Sequence, residues 1–544
     1  MEFVRKEFMI ERINTNTFNI DRNKAKNQPN FKGLVDGATS LIQICEKSPM
    51  INVAVLDLAT AIIPRTVIEG ETNPYAGLEA FRRESSGLIV NCMIPSLIVL
   101  GIAKTLEKPI MGHATTMGHC WANEDTINLV DKYWQNASDV AKDGNGKLIF
   151  VADKNKAKVY NTIKNILDET EGIDGTKTIK LKDFKFHDSV KTITENVFKE
   201  TFTKKEMDSA YRAIIDKTQV AENIRIKGHG PEFFSQNLES IIKNAPQILK
   251  ELTGGKVPSV EVFATKAKKL LFTKSLLGLG VIIPLAISMQ PINRWITAKT
   301  SGKKGAPIYR DFGQTEDKEL SSKEKSALFQ QKLISVSAMI GIALLSIMKK
   351  PNFQMLKNIS QFKGIFPSMD QARVISTATF ASRMMASEDK NDLREATVRD
   401  IATFSAFYFL GDYVAKGIAT VIQKTKGIEL INVLKDPDKN ANVLKKFGYW
   451  AKHTALKSSD EIVGKTAMKM RSLCQLGNIG FSLVVLGLLI PMMNRKRTDK
   501  AREAELKQMG VDQQTISKYY PPFAMNFSAS NKNNVYNDFF TANK

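Results

Sequence analysis

Two charged residues stand inside an apolar block in the last third of the sequence. Asp412 and Lys416 are the only charges in residues 401–423. A spacing of four places both side chains on one face of a helix, where they could form an internal ion pair. Charges at membrane depth are costly and usually face a bundle interior or water, so the pair is a candidate gate or ion relay. A structural ion pair that locks this helix to its neighbours is the favoured alternative.

Charged residues also gather at the ends of other apolar blocks. Asp57 lies near the middle of residues 48–64 and is, with Asp412 and Lys416, a candidate intramembrane polar residue. Arg65 follows Asp57 by eight residues, about two turns along one helical face. Further charges directly precede residues 85–103 and 401–423. These positions predict a charge cluster that caps the spans at the membrane edge. Its members are Arg65, Glu79, Arg83, Glu84, Glu395, Arg399 and Asp400.

Three side chains that can bind metal lie within eight residues of one another, namely His113, His119 and Cys120. Such groups are ligands for zinc. However, a separation of six residues places the two histidines poorly on one helical face, and no second ligand pair follows them. We therefore favour ordinary side chains in a membrane-proximal loop and expect no cofactor. The sequence also lacks the common phosphate-loop, zinc-protease and serine-hydrolase motifs, which disfavours an enzyme.

Four stretches of the chain lack Lys, Arg, Asp and Glu over 16 to 23 residues. A bilayer core about 30 Å thick requires roughly 20 apolar residues of helix, so these stretches predict membrane spans. Core helices of a large soluble α protein are the alternative, but an amphipathic helix would carry a polar residue about once per turn. The predicted spans are residues 472–494, 275–293, 85–103 and 333–348, and the placement of residues 401–423 and 48–64 is left open.

The charge balance indicates the kind of partner. The 544 residues include 78 Lys and Arg against 56 Asp and Glu, a formal net charge of +22. This charge suits either nucleic acid or an anionic membrane surface. Many basic residues adjoin the apolar blocks, as Lys274 and Arg495 do, and no nucleic-acid-binding motif accompanies them. We therefore expect a lipid bilayer with anionic headgroups as the partner and no nucleic acid, with a homo-oligomer left open.

The two halves of the chain share a sequence pattern. Residues 79–84 read Glu-Ala-Phe-Arg-Arg-Glu, residues 395–400 read Glu-Ala-Thr-Val-Arg-Asp, and each segment leads into an apolar block. The sixteen-residue spacing of Pro49 and Arg65 recurs in Pro367 and Arg383. Internal duplication would produce a pseudo-symmetric bundle with an interface between related halves, as in many transporters. Chance similarity between apolar helical segments is the alternative.

These features predict a mainly α protein, a polytopic helical membrane bundle with a mostly α extramembrane domain and an internal duplication. The predicted organisation is a polar N-terminal segment (1–36), a first membrane-associated module (37–103), an extramembrane domain (104–265), spans with a basic loop (266–348), a second membrane-associated module (349–424), a polar helical segment (425–471), a last span (472–494) and a basic, Asn-rich tail (495–544).

The leading functional hypothesis is movement of a solute or ion through this bundle. A non-enzymatic membrane scaffold or envelope-organising protein is the alternative, and a membrane-bound enzyme ranks third. The basic run at residues 495–497 predicts a cytoplasmic C-terminus in a plasma or inner membrane.

Overall fold

The computed structural model describes residues 54–55, 57–119, 124–174, 177–200, 203–221, 224–226, 238–257, 259–316, 319–347, 362, 367, 369–406, 410–433 and 442–521. This part of the chain is mostly helical, as the sequence predicts. Its α-helices are, in chain order, α1 (Ile63–Thr72), α2 (Pro74–Leu88), α3 (Ile94–Met111), α4 (Glu124–Gln135), α5 (Lys154–Asp168), α6 (His187–Val197), α7 (Lys204–Thr218), α8 (Leu238–Thr253), α9 (Val260–Ser301), α10 (Ser322–Ile347), α11 (Met369–Met385), α12 (Lys390–Ser405), α13 (Gly411–Lys426), α14 (Val443–His453), α15 (Lys465–Ser482), α16 (Ile490–Gln508) and α17 (Gln513–Tyr519).

The strands are short and form three small antiparallel sheets. The strands are β1 (Ala141–Lys142), β2 (Leu148–Ile149), β3 (Thr170–Asp174), β4 (Lys177–Lys180), β5 (Ile224–Ile226), β6 (Ile431–Val433) and β7 (Thr454–Leu456). A three-stranded sheet has the order β4-β3-β5, while β1 pairs with β2 and β6 pairs with β7.

Local sequence explains where several helices begin and end. The Asn73 side chain accepts a hydrogen bond from the Tyr75 N–H, and Pro74 occupies the first position of α2. Ser259 caps the start of α9 by accepting a hydrogen bond from a backbone N–H in the same manner. Gly302 ends α9 with φ +71°, a conformation that glycine adopts without the steric cost of a side chain.

Four helical stretches are long and apolar enough to cross a membrane. They contain the predicted spans, apart from the final residue of 333–348, so the structure confirms these stretches as long apolar helices. Residues 401–423 are divided between α12 and α13 and do not belong to this set. The four stretches are Pro74–Met111, Val260–Ser301, Ser322–Ile347 and Lys465–Gln508.

These apolar helices pack with α1, α11, α12 and α13 into a bundle. The long helix α9 contacts α2, α3 and α11, while α12 packs on α16 and α13 packs on α15. Many large apolar side chains on the outside of the bundle are exposed. Leu276 is 57% exposed, Trp295 is 62% exposed and Leu345 is 73% exposed. An outer surface of this kind is typical of helices that face lipid.

Short π-helical segments interrupt the bundle helices. In the described residues they comprise Leu58–Ile62, Ile89–Met93 and Leu483–Leu489, and Ala406 and Leu410 also have π-helical conformation. A π-helical turn inserts an extra residue into an α-helix and often occurs at functional sites.

The helices between α3 and α9 form a separate core with the β4-β3-β5 sheet. Its fully buried side chains include Leu129, Tyr160 and Ile214. The first turns of α9 join this core through Phe263 and Leu270. One helix therefore belongs both to this domain and to the bundle.

Candidate functional site

A network of arginine and carboxylate side chains lies inside the bundle. It contains six arginines and six acidic residues, so its formal charges balance. We call it the charge network, and its members are Arg65 and Glu69 on α1, Glu79, Arg83 and Glu84 on α2, Arg294 on α9, Arg383 on α11, Asp392, Glu395, Arg399 and Asp400 on α12, and Arg495 on α16.

Residues 1–348 are called the first half of the chain, and residues 349–544, which begin with the second predicted membrane-associated module, are called the second half. In the first half, two arginines meet one carboxylate. Glu84 Oε1 lies 3.2 Å from Arg65 Nη1 and 3.0 Å from Arg83 Nε. Arg83 Nη2 also donates to Glu69 Oε1 over 2.9 Å. The α1–α2 hairpin is therefore held together by alternating charges.

The second half of the sequence repeats this arrangement. Asp400 Oδ1 lies 3.3 Å from Arg383 Nη1 and 3.2 Å from Arg399 Nε. The next pair corresponds across the halves as well. Arg294 Nη1 lies 3.0 Å from Glu79 Oε1, and Arg495 Nη1 lies 3.9 Å from Glu395 Oε1.

Further contacts join the two halves. Arg383 Nη2 lies 3.5 Å from Glu84 Oε2, and Arg65 Nη2 donates to Thr403 Oγ1 over 2.6 Å. Arg294 Nη2 donates to both carboxylate oxygens of Asp392, over 2.9 and 2.8 Å. Such charge-assisted bonds are stronger than neutral hydrogen bonds, so the network fastens α1, α2, α9, α11 and α12 to one another.

Burial determines the electrostatics of the network. Arg65 is 1% exposed and Asp400 is fully buried. Burial alone would raise the pKa of the Glu69 carboxyl, but the charge of Arg83, assisted by other arginines, lowers that pKa below its usual range. Glu69 therefore stays ionised at neutral pH. A buried charge that loses its partner is strongly destabilising, so each member depends on the others.

A small cavity of about 10 Å³ lies within the charge network. This volume suits about one water molecule. Among the described residues, Glu79 Oε2 and Arg294 Nε are buried without a hydrogen-bond partner, and both residues line the cavity. A bound water would have polar groups to contact there. The cavity does not hold a larger solute in this conformation.

The chain matches no protein-family model, no curated protein and no solved structure.

The structure brings all seven residues of the predicted membrane-edge cluster into the charge network. Asp57 lies near enough to Arg65, Glu84 and Arg383 for their charges to act on its carboxyl. Sequence proximity to an apolar block was the signal that identified these positions.

Asp412 and Lys416 lie elsewhere, on α13. Asp412 is exposed, whereas Lys416 is 6% exposed. Lys416 Nζ donates to the carbonyl oxygens of Trp450 and Ala451 over 3.2 and 3.0 Å, and lies 4.4 Å from the centre of the Trp450 ring. Lys416 therefore connects α13 with the end of α14.

The histidines show no metal centre in the part of the chain that the structure describes. His113 Nε2 lies 3.0 Å from Glu251 Oε2, which joins the end of α3 to α8. The side chain of His119 and the whole of Cys120 lie outside the described residues. The metal hypothesis gains no support from His113.

Sequence reasoning missed several members of the network, including Glu69, Arg294 and Arg495. A repeated motif could have identified two of them, because Asn-Arg-x-x-Thr occurs at residues 293–297 and again at 494–498. The motif threonines contact charged residues, since Thr297 Oγ1 accepts from Arg82 and Thr498 Oγ1 donates to Glu395. Glu69 carries no comparable signal.

Proposed function

We propose that the chain is an integral membrane protein of two related halves, in which the charge network closes one end of a path for a solute or ion. The observation that carries this proposal is the matched pair of contacts in the two halves. Arg65 and Arg83 meet Glu84 as Arg383 and Arg399 meet Asp400.

The membrane part of the proposal is supported by the four long apolar helices and by their exposed apolar surfaces. Their length exceeds what a bilayer core about 30 Å thick requires. Integral association predicts that the full chain stays in the membrane pellet after alkaline carbonate extraction. Release into the supernatant would overturn it.

The duplication is supported by correspondence at several levels. Residues 79–84 and 395–400 share a pattern, and the contacts of their last two charged positions agree. The π-helical segment Ile89–Met93 follows the first of these segments, and Ala406 and Leu410 have π-helical conformation at a similar distance after the second. Related halves around a central interface are a common design in transporters.

The place of the charge network in the sequence supports a role as a gate. Glu84 directly precedes a predicted span, and Arg294 and Arg495 directly follow two others, so the network lies at one edge of the apolar region. Contacts such as Arg383 with Glu84 cross between the halves. Separation of the halves at this edge would break those contacts and admit water to the charges.

The test is ion flux through reconstituted protein. Vesicles holding a trapped pH dye and potassium would receive the wild-type chain, Arg383→Gln, or the control Arg225→Gln, which alters an exposed ion pair with Glu171. We expect faster proton or potassium leak with Arg383→Gln than with the other two. Equal leak from all three, with each protein verified in the membrane, would contradict a gate.

A membrane scaffold is the second candidate, and two observations favour it. The cavity in the charge network has room for about one water, and the six arginines of the network are balanced by six carboxylates. A static clamp would have these properties. It predicts that Arg383→Gln lowers stability while leaving the vesicles as impermeable as the wild type does.

The remaining features of this proposal are a bilayer with anionic headgroups as partner and a cytoplasmic C-terminus in a plasma or inner membrane. Lys496 and Arg497, which are the exposed members of the basic run at residues 495–497, support both. A reporter fused to the C-terminus tests the orientation, because a protease added outside intact cells would spare a cytoplasmic reporter. Cross-linking in membranes tests a homo-oligomer.

A further inference from the structure

Helix α14 divides its side chains between two faces. At 100° per residue, the apolar residues Val443, Leu444, Phe447 and Ala451 fall within one arc of about 100°. The lysines fall on the opposite side, together with the aromatic and imidazole side chains near the end of the helix. They are Lys445, Lys446 and Lys452, with Tyr449 and His453.

The apolar face of α14 is exposed. Val443 is 82% exposed, Leu444 is 81% exposed and Phe447 is 63% exposed. A helix of a soluble domain normally buries such a face against a core. Within the described residues, α14 has no buried residue at all. Its apolar face therefore requires a cover that this part of the chain does not supply.

One edge of α14 is fixed to the bundle. Trp450 Nε1 donates to Thr420 Oγ1 on α13 over 2.9 Å, and the Trp450 ring lies under the Lys416 ammonium. Lys416 also bonds carbonyl oxygens at the end of α14 and just beyond it. These contacts leave Leu444 and Phe447 pointing away from the bundle, because those residues are the exposed ones.

The packing of α13 on α15 determines where α14 lies relative to the apolar part of α15. Lys426 Nζ lies 3.8 Å from Met470 Sδ, in the polar first turns of α15. Ile418 packs against Gly477, inside the apolar residues 472–494. The Trp450 contacts at Lys416 and Thr420 therefore lie close to the point where α15 changes from polar to apolar.

We infer that α14 lies in the boundary between the headgroups and the acyl chains of a membrane that carries anionic phospholipid. The apolar face enters the acyl region, while the three lysines contact the headgroups. Helices with separate apolar and lysine-rich faces bind membranes in this way, and each lysine near an anionic surface adds to the attraction. The inference rests on the membrane part of the proposed function. Charge complementarity and the nearby apolar span favour lipid over a protein as the occupant.

The test places a fluorophore on the apolar face. Phe447→Trp would be reconstituted as the full chain in vesicles of phosphatidylcholine and phosphatidylglycerol, with and without bromine on the acyl chains near the headgroup. Its matched control is Val151→Trp, at a position that is 77% exposed in a turn after β2 of the extramembrane domain. Wild-type emission is subtracted from both.

We expect brominated lipid to quench the added signal of Phe447→Trp and to leave the control signal unchanged. A chain that carries Phe447→Trp together with Lys445→Glu, Lys446→Glu and Lys452→Glu should show less quenching in vesicles that contain phosphatidylglycerol. A blue-shifted signal that bromine does not quench would overturn the inference, because it indicates cover by protein, either a partner or a second copy. A red-shifted, unquenched signal would also overturn it.

Carbonate extraction of the same vesicles separates the two proposals. If the chain stays in the pellet while the Phe447→Trp signal is unquenched, the inference about α14 fails and the membrane protein stands. If the chain is extracted, the proposed function itself fails.

Discussion

Arg383 and Glu84 come from opposite halves of the sequence and meet inside the helical bundle. Arg383 Nη2 lies 3.5 Å from Glu84 Oε2, and the two side chains are 4% and 5% exposed. The same guanidinium reaches Asp400 through its other terminal nitrogen. One arginine therefore joins α2, α11 and α12, and its loss affects three helices at once.

Arg383→Gln should destabilise the folded chain by about 3 to 5 kcal/mol, because Glu84 and Asp400 would remain buried without a full counter-charge. Thermal unfolding in detergent, followed by circular dichroism, measures this change. Arg225→Gln is the control, since its pair with Glu171 is largely exposed at the arginine and should contribute about 1 kcal/mol or less. Similar losses of stability for both variants would contradict the conclusion that burial makes the ion pairs of Arg383 more important for stability than an exposed pair.

Gly77→Ala should weaken the α1–α2 hairpin. A Cβ atom at Gly77 would stand 2.5 Å from the Cα of Gly70, and backbone atoms cannot move aside as the end of a side chain can. We expect a loss of about 1 to 3 kcal/mol from overpacking. Gly101→Ala in α3 is the matched control, since no atom lies within 4 Å of its Cβ position. That variant should be neutral or slightly stabilising, by up to about 1 kcal/mol. The unfolding midpoints of the two variants test this expectation. Equal changes in midpoint would contradict the close approach of Gly77 to Gly70.

Asp389 makes stability depend on pH. Burial, with the charge of Asp392, raises the pKa of the Asp389 carboxyl to about 6 from its ordinary value of 3.8. Between these values the folded chain holds a proton that the unfolded chain releases, so this group lowers stability as pH rises from about 4 to about 6.

Asp389→Asn should remove that loss and keep the cap of α12, because asparagine also accepts hydrogen bonds from backbone N–H groups. The variant should match the wild type near pH 4 and exceed it at pH 7 by on the order of 1 to 2 kcal/mol, a figure reduced for solvent screening at this half-buried site. Unfolding midpoints at about pH 4, 5, 6 and 7 test the difference across this range. If the midpoints of the variant and the wild type changed with pH in parallel, the raised pKa of Asp389 would be disproved.

Lys416→Ala should loosen α14. The Lys416 ammonium donates to the carbonyl oxygens of Trp450, Ala451 and Thr454, which lie at or beyond the last turn of the helix. Faster amide deuterium exchange in residues 443–454 would report the loss by mass spectrometry. Lys424 is an exposed lysine on α13, the helix that carries Lys416. Its replacement, Lys424→Ala, should leave the exchange of residues 443–454 unchanged. Unaltered exchange with Lys416→Ala would show that other contacts hold α14.

The sequence predicted the apolar helices better than their mutual positions. Residues 275–293 and 472–494 are uncharged for so long that a buried or lipid-facing helix is the physical outcome. The length of the first helix was underestimated. Helix α9 continues for 42 residues because its polar first turns pack into the core formed with α4 to α8. A search for uncharged runs does not detect such extensions.

The candidate site was predictable in part. Glu84 and Asp400 stand beside apolar blocks, which marks them as charges at a span end, but their common partner Arg383 depends on tertiary packing. The spacing of Asp412 and Lys416 placed both residues on one face of a helix, but it gave no sign that Lys416 also bonds carbonyl oxygens of a separate helix, α14. Periodicity describes one helix and carries no information on which helix lies beside it.

The continuity of α9 has a mechanical consequence. Its 42 residues extend over roughly 60 Å at about 1.5 Å per residue, with Phe263 held in the core formed with α4 to α8 and Arg294 held in the charge network. A displacement of this helix at Phe263 would therefore strain the ion pairs of Arg294 with Glu79 and Asp392 near its other end.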